Sequence, residues 1–388
     1  MDIINQARYI CLYDVGIQNN YGRYWNHMHR VVFGSMGSMK PRSGSYSDPW
    51  HSQLNPAMAL PELKTIPDKL SDLLDHRAVE LFDSAKSKNK RICIMWSGGI
   101  DSTVVLTAFL KNLSKADTEI LTVVLTDESI AEHTGYYKRY IDNQIKTLSY
   151  YDLVVDSKFL DENIVLTGDP ADALFGPSSG MYSHMVPNNE HLRSFKDHTK
   201  TIGYCIDRTG FNALRQYKLI GFGQWYAQKI TDNLLEVQPP GVETIADWWW
   251  WHYINFKWES SIWRPLIRRK INALDDVLTD NQINDFVDDT FFNTVKFQQW
   301  SYTNLKTLIG NDLANHKRIP KQYIYEFDRD EDYLINKKKS ESVPPSDHFK
   351  TMTERKPILW DKNWVGYYGD QHPELLEKCI EHLEQYKG

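Results

Sequence analysis

One short stretch restricts the fold more than any other. Arg91-Ile92-Cys93-Ile94-Met95-Trp96 runs directly into Ser97-Gly98-Gly99-Ile100-Asp101-Ser102. An apolar run closed by two glycines reads as a buried strand ending in a tight turn. Residues 102–113 then carry a helical pattern, as do residues 68–86 before the strand. Residues 120–126 and 164–167 read as further strands, residues 153–155 as a short strand between them, and residues 133–148 as a helix. Strands and helices alternating at this spacing predict βαβ units. The expected class is therefore α/β, a parallel sheet with helices on both faces. Ligands of such sheets sit at the carboxyl ends of the strands, where the glycine turn lies.

Three regions follow from the pattern. Residues 1–66 are punctuated by Gly, Ser, Asn and Pro and read as an irregular arm or lid. Residues 67–187 hold the α/β pattern. From 188 to 388 the strand signal is gone and helical periodicity takes over, for example over residues 211–230 and 242–256, so a mainly helical part should complete the substrate cleft. The charged stretch 328–342 and Pro344-Pro345 interrupt it, and residues 373–386 read as a last amphipathic helix.

Composition removes several function classes. The four cysteines, Cys11, Cys93, Cys205 and Cys379, form no CxxC pair, which fits a reducing cytoplasm and argues against a zinc or dithiol centre. No apolar run approaches the ~20 residues that span a bilayer, and no signal-like segment opens the chain, so no membrane partner is expected. A net charge of -6 gives no general attraction for a phosphate backbone and argues against a nucleic-acid coat protein.

The turn itself points to phosphate chemistry. A strand feeding Ser97, Gly98 and Gly99 into a helix aims backbone N–H groups at one point, at the positive end of the helix dipole. The glycines allow close backbone approach, and the Ser97 and Ser102 hydroxyls add donors. Asp101 is anomalous beside an anion unless a cation lies between them, and Mg²⁺ bridging carboxylate and phosphate oxygens meets that need. The plainer reading is that Asp101 and Ser102 cap the first turn.

With these residues in place, the sequence resembles the PP-loop ATP pyrophosphatase family, whose signature is SGGxDS after a strand; no GxxxxGK[ST] loop is present. The segment Ile164-Val165-Leu166-Thr167-Gly168-Asp169-Pro170-Ala171-Asp172-Ala173-Leu174-Phe175-Gly176 resembles the S-G-E-G-A-D-E-L-F-G segment of the synthetase domain of asparagine synthetases. The resemblance implies an adenine nucleotide alpha hydrolase-like fold and cleavage of ATP to AMP and pyrophosphate. It makes Asp172 the second Mg²⁺ carboxylate opposite Asp101, and it places Gly168 and Asp169 on the adenylate or substrate side. Adenine is expected between the first two strand ends, near Trp96 and Thr126, although core packing is the commoner fate of a Trp.

The family's C-terminal lysine, which stabilises charge on phosphorus, is matched loosely by Lys338 and Lys339 in Lys337-Lys338-Lys339-Ser340 after Ile319-Pro320. A solvated basic run is the alternative. Arg264-Pro265-Leu266 similarly resembles an Arg-x-Pro-Phe-Leu segment. Two departures stand out: Pro170 replaces a family glycine and Ala173 a family acid, which puts aspartate in doubt as substrate. Residue 2 is Asp2 rather than the glutaminase cysteine, so the nitrogen should come from ammonia, another amine or a separate amidase subunit.

The expected activity is an ATP-dependent ligase that adenylates a small carboxylate and forms an amide. The rivals are a PP-loop enzyme that modifies a nucleobase and a catalytically silent nucleotide-binding protein. Trp248-Trp249-Trp250-Trp251 could be a stacking platform, but consecutive helical residues point in different directions, which favours core. His184, His191 and His198 read as surface or cleft residues.

Overall fold

The computed structural model describes residues 41–43, 58–176, 192–194, 231–259, 261–262, 278–308 and 317–337. In it the strand before the glycine turn, β1 (Arg91–Met95), lies inside a four-stranded sheet. It is joined by β2 (Leu121–Leu125), β3 (Lys146–Ser149) and β4 (Asn163–Leu166), all parallel, in the order β3-β2-β1-β4. Cys93 pairs in register with Thr122 on one side and with Val165 on the other. Ile92, Cys93 and Ile94 have no exposed surface, as expected of a parallel strand covered on both faces.

The third strand is not where the apolar pattern put it. Residues 153–155 form no ladder, and the expected helix over 133–148 breaks into short turns, Thr134–Tyr136 and a π-helical turn Tyr137–Ile141, before β3 begins at Lys146. β3 is an edge strand. Among the described residues it pairs only with β2, and it leaves Lys146 and Thr147 exposed, so it carries no apolar signature. Leu153 and Val155 are buried as anchors of the following loop, while Val154 between them faces out.

Helices flank the sheet. α1 (Leu70–Ser87) buries Leu70, Leu73, Leu74, Ala78, Leu81 and Phe82 at helical spacing and packs on β1 and on α2 (Ile100–Asn112). α3 (Asp127–Glu132) follows β2, α4 (Ser157–Glu162) precedes β4, and α5 (Ala171–Leu174) follows β4. α6 (Asp280–Asp289) covers β4, α7 (Val295–Thr303) packs on α1 and α5, and α8 (Arg318–Asp328) lies along α2 before turning into α9 (Glu331–Asn336). Arg77 of α1 ties the layers together, donating to the carbonyls of Asp288 in the last turn of α6 and of Thr290 and Phe291 just beyond it.

The chain divides by its contacts into two compact units. One comprises residues 61–191 and 261–343 and holds the sheet; the other comprises residues 1–60, 192–260 and 344–388. In the second unit the helix Ile245–His252 starts with a capping box, in which Thr244 and Asp247 satisfy each other's backbone N–H groups. Its four consecutive tryptophans are all at most 1 % exposed, so this helix is apolar on every side and enclosed on every side. The indoles are core and not a stacking platform. Trp251 Nε1 donates to the Leu234 carbonyl at 3.0 Å. Arg42 is buried against the same helix region, donating to the carbonyls of Met58, Ala59 and Ile254, with its guanidinium over the Trp258 ring. Among the described residues no helix is long and apolar enough to cross a membrane.

Candidate active site

β2 and β4 lie on opposite sides of β1, so the winding of the sheet reverses there. The carboxyl ends of β1 and β4 frame the crevice in which open α/β sheets bind ligands. The loop after β1 is built for close approach. Gly98 has φ of +70°, and a β-carbon there would lie 2.4 Å from the Ser129 carbonyl oxygen, so both the conformation and the space demand glycine. Gly99 sits at the N-cap of α2 with no side-chain cap, and its own N–H donates to Ser97 Oγ at 3.4 Å. The Ser97 and Ser102 hydroxyls bond each other at 3.1 Å, and Ser102 Oγ also accepts from Ser97 N at 3.1 Å.

β4 delivers the second half of the site. Gly168 lies against the loop, where a β-carbon would fall 2.8 Å from Ser102 N and 2.9 Å from Asp101 Cβ. Asp169 N donates to Thr167 Oγ1, the Asp169-Pro170 bond is cis, and α5 then presents Asp172. Asp101 and Asp172 do converge, and what joins them is Lys317. Its Nζ donates to Asp101 Oδ1 at 2.7 Å, to Asp101 Oδ2 at 2.5 Å and to Asp172 Oδ1 at 2.6 Å. The Lys317 side chain is 3 % exposed and the two carboxylates are 21 % and 17 % exposed. Burial alone would lower the Lys317 pKa; the two carboxylates outweigh it and hold the ammonium above its ordinary value.

Lys317 was not foreseen. It is the N-cap of α8, in the left-handed region at φ of 53°. A Lys-Arg pair at a helix start opposes the helix dipole unless acids face it, and that was the available signal. Lys338 and Lys339 lie outside the described residues, as do Arg264-Pro265-Leu266, His184, His191 and His198.

Other cations do surround the loop. Lys337 Nζ bonds the Glu132 carboxylate and, at 2.9 Å, the Glu132 carbonyl; the Glu132 Cβ in turn covers Gly98. Lys321, one turn along α8 from Lys317, is 3 % exposed, and among the described residues its side chain has no hydrogen-bond or ion-pair partner. Burial pushes its pKa below the usual lysine value, and the neighbouring charges of Arg318 and Lys337 push the same way.

The two residues expected near the adenine are both engaged within the protein. Trp96 is 1 % exposed, its Nε1 donates to Thr103 Oγ1 at 3.0 Å and its ring packs on Tyr136, so it has no face to offer a base. Thr126 does stand at the end of β2, but its hydroxyl is engaged as the N-cap of α3, accepting from Ser129 N.

No protein-family model matches the chain, and neither a curated protein nor a solved structure matches it.

Proposed function

We propose that this chain is an ATP-dependent carbon–nitrogen ligase that adenylates a substrate carboxylate and passes the acyl group to ammonia or another amine. The observation that supports this reading is the meeting of Asp101 and Asp172, from two adjacent strand ends, at one cation beside an uncapped helix N-terminus. Carboxylates that already converge on an ammonium are fitted to hold Mg²⁺ arriving with a nucleotide. When bound, Mg²⁺ supplies neutralisation of charge on the departing pyrophosphate.

The chain's own groups would do the rest. The first-turn amides of α2 and the Ser97 and Ser102 hydroxyls bind phosphate oxygens, exchanging their mutual hydrogen bond for the ligand. Lys321, its side chain buried without a counter-ion among the described residues, offers positive charge where a polyanion gains most. Lys317 yields part of its hold on the carboxylates and remains as a donor to the same oxygens. A substrate carboxylate oxygen attacks the α-phosphorus, and the bond from that phosphorus to the bridging oxygen breaks, releasing pyrophosphate. The amine lone pair then attacks the acyl carbon, AMP leaves with the bonding electrons, and the amine gives up a proton. A separate amidase subunit could supply the ammonia.

The test is product analysis after incubation with ATP, Mg²⁺, ammonium and a pool of metabolite carboxylates. AMP and pyrophosphate from the wild type, absent with Asp172→Ala, support the reading; ADP and phosphate refute it. One observation favours a second reading, a nucleotide-binding protein without turnover: Lys317 engages both oxygens of Asp101, the position a metal would take. ATP binding with no product under any substrate pool would select it.

A further inference from the structure

The far end of α8 carries a second convergence of ligand-type groups. His133, Asp328 and Asp330 bring one ligand atom each to within 4.8 Å of one another. The Asp328 side chain, at the end of α8, has no exposed surface. Asp330 caps α9, its Oδ1 accepting from Tyr333 N at 3.0 Å. His133 follows α3, with its ring stacked on Tyr333 at 4.1 Å between centroids and 10° between planes.

The independent observation is the imidazole itself. His133 is 7 % exposed, and both of its ring nitrogens are buried without a hydrogen-bond partner. One unsatisfied buried polar group costs about 1–3 kcal/mol, and folded proteins rarely keep one. Arg139 does not relieve it. Its Nε and Nη2 bond Asp328 at 2.7 and 2.6 Å, and Nη2 reaches Asp330 at 3.0 Å. A guanidinium only donates, and here it is spent on the two carboxylates. It cancels one of their two charges and takes one lone pair from each oxygen it touches, leaving other lone-pair directions and one net negative charge. The neighbouring Lys337 and Glu132 neutralise each other.

We propose that His133, Asp328 and Asp330 form a binding site for a divalent transition-metal ion. One imidazole nitrogen with two carboxylates suits the zinc class better than Mg²⁺ or Ca²⁺, which prefer all-oxygen shells. Arg139 then acts as the outer partner that orients the carboxylates. The ion would pin the α8–α9 elbow to the segment after β2, giving the buried imidazole the partner it lacks. The site is separate from the Asp101–Asp172 pair and stands or falls without the ligase reading.

The experiment uses the full chain, stripped by chelator and titrated with Co²⁺ in the presence of excess Mg²⁺, which occupies hard oxygen sites. Binding is read by visible absorption and by metal analysis after gel filtration. The expected result is one retained equivalent of Co²⁺. His133→Phe keeps the stack on Tyr333 and should abolish retention; Asp330→Asn keeps the helix cap and should weaken binding by at least about tenfold, as loss even of an outer-shell partner does. Should His133→Phe fail to fold, Asp330→Asn decides. No stoichiometric Co²⁺ in the wild type, or equal binding in the folded variants, overturns the proposal.

Discussion

Lys317 Nζ lies within 2.7 Å of both carboxylate oxygens of Asp101, 216 positions earlier in the chain. The pair joins the start of α8 to the start of α2, and Asp172 completes a half-buried triad with net charge of minus one. Removing one member of a buried ion pair costs about 3–5 kcal/mol because its partner stays desolvated. Lys317→Met should fall toward the lower end of that range, since both carboxylates keep some exposure. Urea denaturation gives the number. Mg²⁺ should restore more stability to this variant than to the wild type, because a ligand that binds only the folded state stabilises in proportion to its occupancy. An equal Mg²⁺ response in both proteins would deny the carboxylate pair any role in holding the metal.

Gly168 should tolerate no side chain. Alanine there would place a methyl 2.8 Å from Ser102 N, against backbone that cannot rotate away. Overpacking of this kind costs about 1–3 kcal/mol. The expected signature of Gly168→Ala is a modest drop in melting temperature with a disproportionate loss of ATP binding by calorimetry, because the displaced atoms are those of the loop proposed to hold phosphate.

Lys321 offers a pH-dependent test. Its pKa is depressed in the free protein by burial and by two like charges. A bound polyanion would raise it, so binding should take up protons in the range between the two values. Pyrophosphate titrated at a pH below the ordinary lysine value, in buffers of different ionisation enthalpy, should show greater proton uptake in the wild type than in Lys321→Met. Affinity should fall as pH rises through that range. A buffer-independent binding enthalpy would mean that Lys321 does not face the anion.

Trp96→Phe separates packing from ligand contact. Loss of the indole and its bond to Thr103 should destabilise the fold by about 1–3 kcal/mol. ATP affinity should stay within error of the wild type. A selective loss of affinity with stability intact would return Trp96 to the adenine site.

The legible part of this protein was the part whose logic is local. β1, the glycine turn and α2 are contiguous, and each position has a chemical reason that can be read in order, from the buried Ile92-Cys93-Ile94 run to the left-handed Gly98. The pairing of Asp101 with Asp172 was legible one step further, because both follow strand ends of one parallel sheet. β3 was not, because an edge strand with exposed Lys146 and Thr147 carries no apolar alternation to detect. Lys317 was hidden for a different reason. Its value depends on two acids from distant segments, and no periodicity links them. Trp96 was ambiguous in sequence, since stacking and core packing ask for the same residue, and burial alone decided it.

The distribution of tryptophan has a practical corollary. Among the described residues, Trp248, Trp249, Trp250, Trp251 and Trp258 belong to the unit without the sheet, and Trp96 and Trp300 to the unit with the glycine turn. Emission from these seven indoles is therefore mainly a voice from one unit, while protection by a nucleotide, under the proposed function, would speak for the other. An unfolding curve recorded by emission and one recorded by ATP-dependent protection would coincide only if the two units melt together.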